Sequence, residues 1–285
     1  MKLKTKMSCK ISILLPAYKS DYLFSKVFLP SFLKNCSQKT ELIIYDNGGN
    51  AGALLPWKVK ACGTSKALGK NEIKVIGEGK NSGLNVALNE CAKVATGDYF
   101  YLPHSDMYLM PGWDTALLDA CKNLPPASFL LCSRSIEPTK GHTDFHIIKD
   151  YGKEWNEFDE QRLLETYERN KYGSDHTVMS GYRMPFFMHR KLWDLMQGVD
   201  DRYFSYCTDD DLVQTAYDKG VRRFWMVYSS LVYHLQGKSN SQQTIDKDSN
   251  VPYEYFINKW KSKYPDICHP GQYHPKLIPQ YVKVR

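Results

Sequence analysis

Apolar positions along the chain fall into short β-branched runs separated by segments of helical period. Ile11-Ser-Ile-Leu-Leu15 is an apolar run stopped by Pro16 and predicts a buried strand. From Ser20 to Lys34, Leu23, Val27, Phe28, Phe32 and Leu33 recur at mostly helical spacing, with Pro30 as an internal break. Glu41-Leu-Ile-Ile-Tyr45 predicts a second strand, ended by the turn signal Asp46-Asn-Gly-Gly49. Ile73-Lys-Val-Ile76 predicts a third. Leu84, Ala87, Leu88, Cys91 and Ala92 then share one face of a helix over Gly83–Val94. Gly97-Asp98 breaks it, and Tyr99-Phe-Tyr-Leu102 predicts a fourth strand.

Strands alternating with helices at this spacing predict βαβ units and an α/β fold with a mostly parallel sheet. Ligands of such sheets bind at the carboxyl ends of the strands. Three predicted strands deliver Pro16-Ala17-Tyr18, Asp46-Asn47 and His104-Ser105-Asp106 to that edge. Glu137–Asp175 is polar and aromatic and reads as a long excursion with a helical insert around Glu160–Tyr172. From Val178 the pattern sharpens: an apolar stretch, a helix near His189–Gln197, then Asp209-Asp-Asp-Leu212 opening a helix that ends at Gly220. The tail from Lys238 is polar, then aromatic, then proline-rich, and reads as a segment wrapping the surface.

Composition narrows the class. Hydrophobic residues make up 42% and charged residues 24%, which excludes a disordered chain, a fibre and a membrane-spanning bundle. The longest apolar stretches, Ile11–Ala17 and Ser128–Cys132, fall far short of the roughly 20 residues that cross a bilayer. The net charge of +7 favours anionic partners, but the only dense basic cluster is Lys2, Lys4, Lys6 and Lys10, and no nucleic-acid-binding pattern accompanies it. The 8 cysteines include no C-x-x-C pair, and the amino end has no secretory pattern, so a reducing, cytosolic setting is expected.

Taken singly, the candidate chemical groups are ambiguous. Asp106, two residues after His104, suits a divalent metal or a simple turn aspartate. Asp209, Asp210 and Asp211 suit a helix N-terminus, which favours anions, and equally a general base. His234 follows the apolar run Met226–Tyr233 and reads as a hydrogen-bonding or a metal-ligating imidazole. Asn81–Asn89 opens its helix with small and amide residues, suited to a diphosphate or to close packing.

Their order is more specific. Ile11–Tyr18, Glu41–Gly48, Asn81–Asn89, Gly97–Asp106, Gly181–Phe204, Thr208–Leu212 and His234 together resemble the GT-A glycosyltransferases, in particular family 2. The resemblance spans roughly residues 10 to 240. It implies a Rossmann-like, mostly parallel central sheet flanked by helices, with a smaller acceptor-side region. Residues 1–135 would form a nucleotide-binding half, 136–240 an acceptor and catalytic half, and 241–285 an extension packing on the domain.

The resemblance also implies roles. Pro16, Ala17 and Tyr18 would border the nucleotide base, Asp46 would hold base or ribose, and Asn81 and Gly83 would lie near nucleotide and donor sugar. Asp106 matches the last aspartate of a D-x-D motif, flanked here by His104 and Ser105. Asp209 matches the general base of inverting members in an E-D-x-D-L motif, with Asp210 a competitor for that role. His234 matches a late histidine that completes the metal site with Asp106, and Lys259-Trp260 is similar to a K-W pair near the family's carboxyl end. Trp113, Tyr182, Arg183 and Trp155 would suit sugar recognition on the acceptor side. Two departures stand out: His104 replaces an aspartate, which would weaken the binding of Mn²⁺ or Mg²⁺ or retune it toward Mn²⁺, and Thr208 replaces a glutamate.

The implied activity is inverting, metal-dependent transfer of a sugar from a nucleotide-sugar donor, a UDP-sugar, to a hydroxyl of a glycan or other acceptor. No nucleic acid is involved, and the acceptor would be soluble or reached at the cytosolic face of a membrane. A non-catalytic nucleotide- or carbohydrate-binding relative is the alternative.

Overall fold

The computed structural model describes residues 10–48, 66–68, 71–139, 146–170, 177–180, 183–236, 250–265 and 281–283. Its strands are β1 (Lys10–Ala17), β2 (Lys39–Asp46), β3 (Lys66–Leu68), β4 (Asn71–Ile76), β5 (Tyr99–Leu102), β6 (Met107–Leu109), β7 (Phe129–Glu137), β8 (Ile147–Ile148), β9 (Thr177–Ser180), β10 (Phe186–His189), β11 (Arg223–His234) and β12 (Tyr281–Lys283). Its helices are α1 (Asp21–Leu23), α2 (Leu29–Asn35), α3 (Leu84–Val94), α4 (Trp113–Cys121), α5 (Glu160–Asn170), α6 (Arg190–Met196), α7 (Thr208–Asp218) and α8 (Asn250–Lys261). The sheet runs β12-β9-β11-β7-β10-β5-β1-β2-β4-β3, with β6 on β11 and β8 on β7. β1 pairs in parallel with β2 and β5, β2 with β4, and β7 with β11. β10 lies antiparallel between β5 and β7, β3 runs antiparallel to β4, and β6 and β9 run antiparallel to β11, so the expected mostly parallel sheet carries reversed strands at its centre and margins.

The period-2 alternation of the parallel strands buries both faces. On one side Ile11, Ile13, Leu15, Leu42 and Ile44 pack with Phe24, Phe28 and Phe32 and with Trp113 and Leu117 of α4. On the other, Leu14 and Ile43 meet Leu88 and Cys91 of α3, Leu192 and Trp193 of α6, and Leu212, Val213 and Ala216 of α7. Cys36, Cys91, Cys121, Cys132 and Cys207 are buried thiols, behaving as small core residues.

Two prolines act differently from their simplest reading. Pro30 does not end its helix. A π-helical turn, Phe24–Phe28, joins α1 to α2, and the Leu29 N–H reaches back to the Phe24 carbonyl. The wider turn makes room for a ring that would otherwise strike the preceding turn. Pro16 lies inside β1, paired with Tyr45. β5 accompanies β1 only over Ile11–Ile13, so the later part of β1 has an open side, where proline is tolerated.

At the other end of the strands, the carboxylate of Glu41 is fully buried. It accepts from Ser12 Oγ (2.6 Å), Thr96 N (2.6 Å), Gly97 N (3.1 Å) and Lys74 Nζ (2.8 Å), tying β1, β2, β4 and the turn before β5 together. Burial alone would raise its pKa, but Lys74, Ser12 and Thr96 outweigh that and lower it to about 2. The stabilisation is therefore complete above the ordinary carboxylate range and is lost as the pH falls from about 4.5 toward 2. Glu41 is expected to account for on the order of 3 kcal/mol of that acid loss. Urea unfolding across this pH range checks it: an unchanged acid slope in Glu41→Gln would remove Glu41 as the cause. Among the described residues no helix is long and apolar enough to cross a membrane.

Candidate functional site

The carboxyl ends of β5, β7 and β11 converge. After β5 the chain turns through Pro103–Asp106 and returns as β6 alongside the end of β11, with Met107 opposite His234. The turn is fastened by Met107 N donating to His104 O (3.3 Å) and Leu235 N to Asp106 O (3.1 Å). Asp106 is fully buried and sets Oδ2 3.5 Å from His234 Nε2. His104, Asp106 and His234 each offer one ligand atom, and these atoms lie within 4.8 Å of one another.

Two imidazole nitrogens and a carboxylate oxygen form a donor set that suits a transition-metal ion such as Mn²⁺ better than Mg²⁺, so these residues fit a divalent cation. Burial works against charge on Asp106, yet the neighbouring histidines hold its carboxyl well below the usual range. Burial works against a proton on His234 as well, but Asp106 and Glu137 raise its pKa to about 10. For His104 burial dominates and lowers the pKa, leaving a neutral ring.

Met184 links this cluster to Asp209. Its backbone N–H donates to Asp209 Oδ2 (3.2 Å), and its sulfur lies 3.1 Å from His104 Nε2. Burial raises the Asp209 pKa, opposed by His104 and Arg183. Asp209 and Asp210 are half-buried in the first turn of α7. Thr208, standing where a glutamate was expected, points inward: its hydroxyl donates to Asn85 Oδ1 (2.7 Å) and Ser205 O (3.0 Å). Asp211 also faces inward, accepting from Lys259 Nζ (2.8 Å), Trp260 Nε1 (2.8 Å) and Tyr203 OH (3.2 Å). The Lys259-Trp260 pair is thus a clasp holding α8 against the start of α7.

The remaining predicted donor residues line the ends of β1 and β2. Asn47 N donates to Ala17 O (2.9 Å), and Gly79 N crosses over to Asp46 O (3.1 Å). Gly77 has φ +89°, and a Cβ there would sit 2.9 Å from the Asp46 carbonyl, so the loop approaches Asp46 only as glycine. Asp46 and Ala17 are buried, while Pro16, Tyr18 and Asn81 are partly open. Asn47 Oδ1 accepts from Ser82 N (2.8 Å), and Asn81 Oδ1 accepts from Gly83 N (3.2 Å). Gly83, at φ +89°, presses against Phe204, whose carbonyl accepts from Leu84 N (2.6 Å). Asn85 Nδ2 reaches Asp200 O (2.7 Å) and Asn89 Nδ2 reaches Val199 O (2.8 Å). The amides of Asn85 and Asn89 therefore fasten the segment leading to Asp209 rather than face a ligand.

Among the expected acceptor-side residues, Trp113 is a correction. It is 0% exposed and lies 4.4 Å from the Tyr101 ring in the core, where no acceptor can reach it. Arg183 is half-buried and near enough to influence Asp209. Trp155 is exposed and stacks on Tyr22 at 4.8 Å. Ser105 is buried in the turn. Tyr182, with Gly181 and the proline-rich part of the tail, lies outside the described residues. Sequence reasoning passed over Met184 and Glu137; the latter, closing β7, accepts from His234 Nδ1 at 3.0 Å.

The model of the family described as glycosyl transferase family 2 matches residues 12–190. No curated protein matches the chain. The crystal structure of TarS 1–349 from S. aureus superposes with a TM-score of 0.54 at 14% identity, over 81% of this chain and 62% of that one. The same fragment in complex with UDP-GlcNAc gives 0.53 at 14%, over 79% and 58%. The chain spans less than two thirds of the length of these structures, and the likeness is one of fold.

Proposed function

Because the chain belongs to glycosyltransferase family 2, we propose that it moves a sugar from a UDP-sugar to an acceptor hydroxyl with inversion, using Asp209 as general base. The observation that supports this most is the bridge through Met184, which places a half-buried carboxylate of raised proton affinity beside the His104–Asp106–His234 cluster. Pro16, Ala17, Tyr18 and Asp46 border the nucleotide, Asn81 and Gly83 lie toward the donor sugar, and Arg183 faces the acceptor side. That a solved TarS complex holds UDP-GlcNAc favours uridine as the base.

In this reading the acceptor oxygen forms a bond to the anomeric carbon on the face opposite the diphosphate. Its proton passes to Asp209, and the bond from that carbon to the diphosphate oxygen breaks with its electron pair leaving on the diphosphate. His104, Asp106 and His234 would hold a divalent cation, whose charge would offset that developing on the diphosphate. Burial keeps Asp209 a better base than an exposed carboxylate, and the Met184 N–H fixes its direction.

Calorimetric titration with UDP and with GDP, in Mn²⁺, in Mg²⁺ and in chelator, tests the proposal. UDP should bind in Mn²⁺, more weakly in Mg²⁺, and at least about tenfold more weakly in chelator. Equal binding in all three would sink the metal reading; GDP binding in place of UDP would change the donor base. Binding of neither would favour a relative without transferase activity.

A further inference from the structure

We infer that Glu137 is a positioning residue for the cation site, orienting the ring of His234 so that Nε2 faces His104 and Asp106. This rests on the cation site proposed above. Glu137 ends β7 and His234 ends β11, neighbouring parallel strands in which Ile136 is paired with Tyr233. That register sets the two side chains next to each other at the rim of the sheet. The Glu137 carboxylate is 3% exposed, and both of its oxygens are engaged. Oε1 meets His234 Nδ1 at 3.0 Å. Oε2 lies 3.0 Å from His146 Nδ1 and accepts from Gln236 Nε2 at 2.9 Å. The Gln236 amide is itself directed, because Thr139 Oγ1 donates to its Oε1 and leaves its nitrogen toward Glu137.

An imidazole ring has two similar edges, and a lone histidine turns either toward a ligand. With a carboxylate accepting at Nδ1, that nitrogen keeps its proton, and Nε2 is the nitrogen whose proton a bound cation would displace. The geometry supplies this selection: Nδ1 on Glu137, Nε2 at 3.5 Å from Asp106 Oδ2. Among the described residues the Glu137 carboxylate meets His234, His146 and Gln236, so its effect on the cation passes through His234.

The rival role is purely structural, a tie between β7 and β11. Titration of the full chain with Mn²⁺ alone, followed by electron paramagnetic resonance, separates the two. Glu137→Gln should weaken Mn²⁺ binding about 10- to 100-fold and diminish the imidazole-nitrogen coupling to the bound ion. UDP binding in chelator and the unfolding midpoint should stay near the parent values. Gln236→Ala, which removes one of the contacts orienting Glu137, should give a smaller loss of Mn²⁺ affinity and keeps the test open if Glu137→Gln fails to fold. Unchanged Mn²⁺ affinity and coupling in the folded variants would overturn the inference while leaving the cation site standing. A parent protein that binds no Mn²⁺ would overturn both, and does so before any variant is made.

Discussion

Asp209→Asn is expected to lower sugar transfer at least about 100-fold while leaving UDP binding within a fewfold of the parent. Asparagine retains an oxygen to accept the Met184 N–H at the position where the carboxylate now accepts it at 3.2 Å, so the loop geometry survives and only the proton acceptor is lost. The size follows from removing a positioned general base, a step typically contributing 10²- to 10⁴-fold. Asp210→Asn is the companion measurement, since Asp210 shares the first turn of α7 and a similar degree of burial. Initial rates with a saturating donor, set beside calorimetric UDP affinities, decide the matter. Full activity in Asp209→Asn removes that residue from the mechanism, and a collapse confined to Asp210→Asn moves the base by one position.

The largest stability effect is expected at Asp211. Its carboxylate is buried and receives the Trp260 indole, the Lys259 ammonium and the Tyr203 hydroxyl. Lys259 also reaches Asp200 Oδ2 at 2.8 Å, where Tyr255 and Arg202 converge as well. Asp211→Ala strands a buried N–H and a buried hydroxyl and leaves one acidic partner for the ammonium. Truncating one side of such a pair costs about 3–5 kcal/mol, a fall in Tm of roughly 5–15 °C for a chain of this size. Asp211→Asn, which keeps one acceptor, should lose less. Thermal unfolding that leaves Asp211→Ala within a degree of the parent would show that the clasp contributes nothing to the fold.

Much of this architecture is readable from the order of residues. The apolar runs Ile11–Leu15 and Glu41–Tyr45 correspond to β1 and β2, because burial on both faces of a strand writes a near-continuous apolar run, and the helical face from Leu84 to Ala92 corresponds to α3. Strand direction is a different matter. Phe186–His189 is as apolar as its neighbours, and nothing local says that it runs backwards between β5 and β7. Of the candidate site, Asp106 and His234 are linked as a metal pair, with His104 beside them, only through the resemblance; their positions after strands leave each one ambiguous. Their supports are not legible, because a methionine and a lone glutamate carry no motif; only the strand register puts Glu137 beside His234. Trp113 failed for the opposite reason. Its side chain suits sugars and cores equally, and its helix places it on Tyr101. Thr208 departs from the family's glutamate, and its hydroxyl locks Asn85.

The amides of Asn85 and Asn89 have a consequence for anyone reshaping this protein. They hang the 199–208 stretch, and with it Asp209, from the same helix whose first turn adjoins Asn81 and Gly83. A redesign that shifts this helix will drag Asp209 along with it. In the proposed reading, donor preference and the placement of Asp209 are thus one variable rather than two, and libraries that vary residues 81–89 alone should yield mostly inactive proteins unless 199–208 is varied with them.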